Sequence, residues 1–212
     1  MRNNRSNFRE IYRHPNIIVP LDAELDVGAE WMLGYFENEI SRGVVFRAGE
    51  TVQMGWMVVK LESDSNGDLE VWEPRFDSMP ITWTRGANST YRHLMLQREV
   101  CAQIGVEPDF PSLAQSGLVS HGFLDGTKKF TMNREASRGA YSGWMFSAVD
   151  ESEGDERHCS LFEIALGHYK IIPFLALPSG ASITCDDDRA VISYGEIKIA
   201  SESNEFLSRL VL

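Results

Sequence analysis

The chain has 212 residues, 43% apolar and 24% charged, with a formal net charge of -11 and a pI near 4.9. That composition suits one large domain or two small ones and excludes wholesale disorder. The charge disfavours phosphate backbones and anionic membranes as partners and favours something basic, unless it only confers solubility. Cys101, Cys159 and Cys185 are three in number, so at least one stays unpaired, and no CxxC spacing occurs; both facts fit a reducing compartment. The basic start "MRNNRSNFREIYRHPN" leads into no apolar stretch, and no run approaches the roughly 18 apolar residues of a membrane span. Neither a secretory signal nor a transmembrane helix is expected, and cytoplasmic residence is the default.

The first twenty residues are polar and end at a proline, which reads as an arm that docks late or frays. From Ala29 the pattern turns helical, with Met32, Tyr35, Phe36 and Ile40 at spacings of three and four and Gly43 as a stop. Residues 44–46, 56–61, 69–73 and 79–84 read as strands. The turn "ESDSNGD" predicts a hairpin, because Asn66-Gly67 tolerates positive φ. Asn88 to Gly105 is the clearest helix. Asn88 or Ser89 would cap it, Gly105 would end it, and Tyr91, Leu94, Met95, Arg98 and Ala102 would share a face, with Leu96 and Val100 widening the buried surface. Residues 106–128 are rich in Pro, Gly and Ser and read as a connection, with one helical turn over 112–116. Beyond it, 129–132, 143–149, 171–177, 190–194 and 196–200 predict strands, with Pro173 suggesting an edge or a bulge. Residues 160–166 and the last nine residues predict short helices. Strands in runs rather than alternation define an α+β fold of two small sheet-plus-helix units with mainly antiparallel strands. The expected division is 1–107, a connecting segment 108–127, and 128–212.

Two runs share letters. "GWMVVKLESDSNGD" (55–68) and "GWMFSAVDESEGDE" (143–156) both open with Gly-Trp-Met and end in an acidic turn. A duplicated unit would explain this, and so would a common way of writing a strand beside a charged turn. In either case Gly allows close backbone packing and Trp fills core volume. Trp72, Trp83 and Trp144 read as core.

No catalytic constellation converges. His14, His93, His121, His158 and His168 form no HExxH, and neither a P-loop, a G-x-G-x-x-G nor a G-x-S-x-G elbow occurs. His158-Cys159 with Cys185-Asp186 matches no zinc spacing, and His93 with Cys101 lie about 12 Å apart along a helix axis. No cofactor and no metal are expected. The acidic clusters say more: Asp150, Glu151, Glu153, Asp155 and Glu156 in one turn, and Asp186, Asp187 and Asp188 in another. Three readings compete: a solvated turn, a calcium loop, whose register is absent, and a docking surface for a basic partner.

The second half also carries a family pattern. Arg134-Glu135, Ser142 to Trp144, Phe146, Asp150-Glu151, Phe162 and Ile164, Ile171 to Leu175, and Pro178 with Gly180 together resemble the Imm33 immunity-protein family over about residues 128–185. The turn "SAVDES" departs from the shorter, glycine-richer turn of that pattern. The resemblance implies a non-catalytic antidote that binds a cognate secreted bacterial toxin in the producing cell. The eight acids named above would then face a basic toxin domain, without direct contact to nucleic acid or membrane. An adaptor for another protein, or an uncharacterised hydrolase or metal-binding enzyme, are the alternatives.

Overall fold

The computed structural model describes residues 1–149 and 156–211. The chain divides into two compact units, Met1–Leu94 and Met95–Leu212. Each carries its own sheet and helices, which makes the fold α+β.

The first unit contains β1 (Arg2–Arg5), α1 (Phe8–Tyr12), β2 (Ile17–Leu21), α2 (Asp26–Ser41), β3 (Thr51–Met54), β4 (Met57–Ser63), β5 (Leu69–Pro74) and β6 (Trp83–Arg85). Its sheet runs β1-β2-β5-β4-β3, with β6 also on β5. Only β2 and β5 pair in parallel. All five residues of β2 are buried, so this segment is a core strand and not a fraying arm. Pro20 is tolerated inside it because the parallel pairing to β5 covers only Ile17 and Ile18. The arm docks by burying Phe8, Ile17, Val19 and Leu21, and it adds an ionic contact. Asp68, at the end of the "ESDSNGD" turn, is fully buried, and Arg5 and Arg9 both pair with it. A buried carboxylate needs such partners, so the arm supplies what the turn requires. The turn itself is the predicted hairpin: Asp64 accepts the N–H groups of Asn66 and Asp68 at 2.8 Å each, and Gly67 has φ +73°. The core packs Met32 and Phe36 of α2 with Val19, Leu21, Leu61 and Val71 of the sheet.

Helix α3 (Asn88–Gln103) holds the boundary between the units. Its cap is not its own. The carboxylate of buried Glu73, on β5, accepts the N–H groups of Ser89 at 3.1 Å and Thr90 at 2.7 Å, and the Thr90 hydroxyl. The buried side chains are His93, Leu94, Gln97, Val100, Cys101 and Ile104, whereas Met95, Arg98 and Ala102 are exposed. Leu94 and Val100 are buried as expected, but the face is turned away from Met95, Arg98 and Ala102, because two polar residues, His93 and Gln97, sit on it.

The second unit continues with β7 (Ser116–Val119), α4 (His121–Leu124), β8 (Lys129–Arg134), β9 (Tyr141–Ala148), β10 (Arg157–Ser160), α5 (Leu161–Gly167), β11 (Ala181–Asp186), β12 (Arg189–Tyr194), β13 (Ile197–Ala200) and α6 (Glu205–Val211). The sheet order is β10-β7-β9-β8-β11-β12-β13, antiparallel except for β7 beside β9. Residues 108–127, expected to connect, thus include an interior strand of this sheet, and the contact boundary falls at Leu94/Met95 instead. Short strands interrupted by Gly and Ser carry too few apolar letters to be told from a loop, and the sheet supplies what they lack.

Two further expectations are corrected. Residues 44–46 form no strand; β3 lies later, at Thr51–Met54. Residues 171–177 are not a strand either. Tyr169–Phe174 is a 3-10 helix, with Pro173 inside it. Its carbonyls and those just after it are taken by side chains. Gln97 donates to Ile172 O at 2.8 Å, Trp144 Nε1 to Leu175 O at 3.0 Å, and the buried guanidinium of Arg134 to the carbonyls of Asp109, Leu175 and Leu177. A segment satisfied this way has no need of a ladder.

The two Gly-Trp-Met runs play different parts. Gly55 and Trp56 form the two-residue turn between β3 and β4, with Gly55 at φ +62°. Gly143 to Met145 lie in the middle of β9, and a Cβ at Gly143 would stand 2.1 Å from Glu135 O. The sheets also differ in strand order, so the shared letters do not mark a repeated structural unit.

Candidate partner-binding face

Strand directions decide where the acids emerge. In the second sheet Arg157 pairs Val119, Phe130 pairs Ala148, Lys129 pairs Asp186, and Asp186 pairs Arg189. The start of β10, the ends of β7 and β9, the start of β8 and the β11–β12 turn therefore share one rim. Glu156, just before β10, and Asp186 to Asp188 lie on that rim, separated by four strand spacings or about 19 Å. The chain leaves β9 at this rim too, after Val149, whose N–H donates to Lys129 O at 3.0 Å. Asp150, Glu151, Glu153 and Asp155 follow it in sequence and lie outside the described residues.

The β11–β12 turn is built for its sequence. Asp187 takes a left-handed conformation, φ +53°, which Asp tolerates better than most residues. Asp186, Asp187, Asp188 and Glu156 are all exposed. Lys129 stands among them, 3.1 Å from Asp186 and 3.9 Å from Asp187. One cation therefore offsets part of the acidic turn. The pairing is exposed, so it is worth little to stability. Nothing in the sequence joined Lys129 to these acids. They meet only because β8 and β11 are neighbours.

Beside the acidic turn the same unit encloses a cavity of about 210 Å3. Its lining comes from the segment before β8 (Gly126 to Lys128, and Phe130), the end of α5 with the following turn (Gly167 to Lys170), Phe174, the end of β11 and α6. His168 is buried and stacked on Phe123 at 4.1 Å, with Nε2 against Phe123 O. Burial lowers its pKa, so the ring is a neutral wall. Cys185, also in the lining, is pushed up to about 12 by burial and is a protonated thiol at neutral pH.

The other candidate chemistry does not assemble. His158-Cys159 on β10 and Cys185-Asp186 on β11 are four strands apart, too far to share one ion. Among the described residues no group of three His, Cys, Asp or Glu side chains could hold a metal. His93 is pushed down to about 4 and Cys101 up to about 11, both chiefly by burial; those directions are the reverse of an activated pair at neutral pH. Trp144 is fully buried, while Trp72 and Trp83 are half-buried. No helix among the described residues is long and apolar enough to cross a membrane.

The residues of the family pattern hold this sheet together. Arg134 on β8 lies 5.6 Å from the centre of the Trp144 ring on β9 and pairs with Asp109 at 3.1 Å. Residues 96–194 match the family model described as the Imm33-like domain. The matched stretch is similar to that domain and begins within α3 rather than at residue 128. The stretch includes interior strand β7. No curated protein and no solved structure matches the chain.

Proposed function

We propose that the protein is an immunity protein. It binds a cognate secreted toxin domain in the cytoplasm of the producing cell and neutralises it by tight, non-catalytic inhibition. The observation that carries this reading is the match to the Imm33-like domain over residues 96–194. The working surface is formed by the acids Asp150, Glu151, Glu153, Asp155, Glu156 and Asp186 to Asp188, and the partner face is basic. Charge complementarity of this kind raises association rates through long-range steering, which suits an antidote that must reach its toxin before the toxin reaches a target.

The test has two arms. Co-purification with the product of the neighbouring reading frame, and protection of cells expressing that product, checks the antidote role. Binding without protection would make the protein an adaptor instead. Stopped-flow association at two ionic strengths then checks the face. Neutralising Asp150, Glu151, Glu153, Asp155 and Glu156 to Asn and Gln is expected to slow association about tenfold or more at low salt and flatten its salt dependence. Unchanged rates would move the interface to Asp186–Asp188 or away from the rim.

A further inference from the structure

The cavity beside the acidic turn has a charge pattern opposite to that of the chain. The apolar part of its lining includes Phe130 and Phe174, 4% and 3% exposed, and Leu210. Its charged lining residues are Lys128, Lys170 and Asp187, all exposed, so the lining itself carries one net positive charge. The lysines come from two separate segments, one before β8 and one after α5. Lys170 is near enough to Cys185, at the opposite wall, for its charge to act on the thiol. In a protein of net charge -11, two lysines beside an apolar hollow make a local reversal of sign.

We propose that this cavity binds a small amphipathic anion: one aromatic ring on a short chain ending in a carboxylate. Size limits the apolar part. An apolar cavity of about 150 Å3 holds a benzene-sized ring, so about 210 Å3 holds a ring with a few more atoms. The ring packs on Phe130, Phe174 and Leu210, and the carboxylate meets the Lys128 and Lys170 ammonium groups by charge-assisted hydrogen bonds. No covalent step is involved, since the Cys185 thiol is protonated and His168 is held by Phe123. The site shares Asp187 with the proposed toxin-binding face but needs no toxin to form and would exist in the protein alone.

The test uses the full chain, labelled with 15N, and three probes of one shape: 3-phenylpropanoate, 3-phenylpropanol and 3-phenylpropylamine. The propanoate is expected to shift the amides of Gly126 to Lys128 and Gly167 to Lys170 saturably, with a dissociation constant below about 1 mM. The amine is expected to bind at least about tenfold more weakly. Gly167→Trp should abolish binding, because a Cβ there meets nothing within 4 Å and the backbone has no left-handed φ; the new ring has room to occupy the hollow while the spectrum stays dispersed. In a second variant, Lys128→Met with Lys170→Met, the propanoate should lose its advantage over the alcohol. No saturable shift at those amides, an amine that binds as well as the acid, or an acid preference that survives the double variant would each overturn the proposal.

Discussion

Trp144, Gly143 and Arg134 show how single residues carry the second unit. Trp144 is 0% exposed and hydrogen-bonded to Leu175 O. Trp144→Ala is expected to cost about 3–5 kcal/mol in urea unfolding, the range for emptying an aromatic core site. Gly143 combines φ +86° with a backbone carbonyl 2.1 Å from where a Cβ would sit, so Gly143→Ala adds a steric clash to left-handed strain. At least about 2–3 kcal/mol is expected. Gly195→Ala is the control: φ is +57° there too, but nothing lies within 4 Å, and only about 1 kcal/mol should be lost. Equal losses at the two glycines would show that the close approach to Glu135 is not what makes Gly143 necessary. The sequence reading placed a close-packing Gly at 143 and a core Trp at 144. It had no means of finding Arg134 as a buried clamp, since an arginine letter carries no sign of its burial.

Helix α3 carries the lesson at the scale of elements. Its existence and ends were legible from spacing and the closing Gly105, but its buried face was legible only in part, at Leu94 and Val100. His93 and Gln97 are polar letters whose needs are met locally: Trp56 Nε1 donates to His93 Nδ1 at 3.3 Å, and Gln97 reaches Ile172 O. Burial takes His93 from 6.5 down to about 4. The unfolded chain gains a proton near pH 6.5, but the folded one only near pH 4. Between those values the unfolded state holds more protons, so stability falls as pH falls, with the full contribution present above about pH 6.5. The span corresponds to at most about 3 kcal/mol. His93→Gln is expected to reduce the loss in unfolding free energy between pH 7 and pH 4.5 by about 2 kcal/mol. An unchanged pH slope would mean that the ring charges freely in the folded protein. The cap from Glu73 gives a second check. Glu73→Ala strands two N–H groups of the first turn and should cost about 1–3 kcal/mol by urea unfolding, whereas a cap supplied by Asn88 or Ser89 would leave stability nearly unchanged.

For the whole molecule, β7 is decisive. It lies between β10 and β9, so a fragment starting at residue 128 lacks an interior strand, leaves β10 without a neighbour and opens one edge of β9. Residues 128–212 are expected to give a collapsed, poorly dispersed NMR spectrum, and residues 88–212, which keep α3 and all seven strands, a dispersed one. A dispersed spectrum from the shorter fragment would make β7 an accessory to the sheet. By itself the sequence determined the α+β class, helices α2 and α3, the Asn66-Gly67 hairpin, the β8, β9 and β12 strands and the similarity of the second half to the Imm33-like family. These depend on periodicity, turn chemistry and local motif, all short-range. Only the tertiary structure decided that the N-terminal arm is a core strand, that residues 169–174 coil rather than extend, and that Lys129 stands against Asp186 and Asp187. Each of those rests on a partner far away in sequence: Asp68 for the arginines of the arm, Arg134 and Trp144 for the carbonyls of Leu175 and Leu177, and β11 for β8. Burial and strand order are set by such long-range pairings, and no local pattern of letters encodes them.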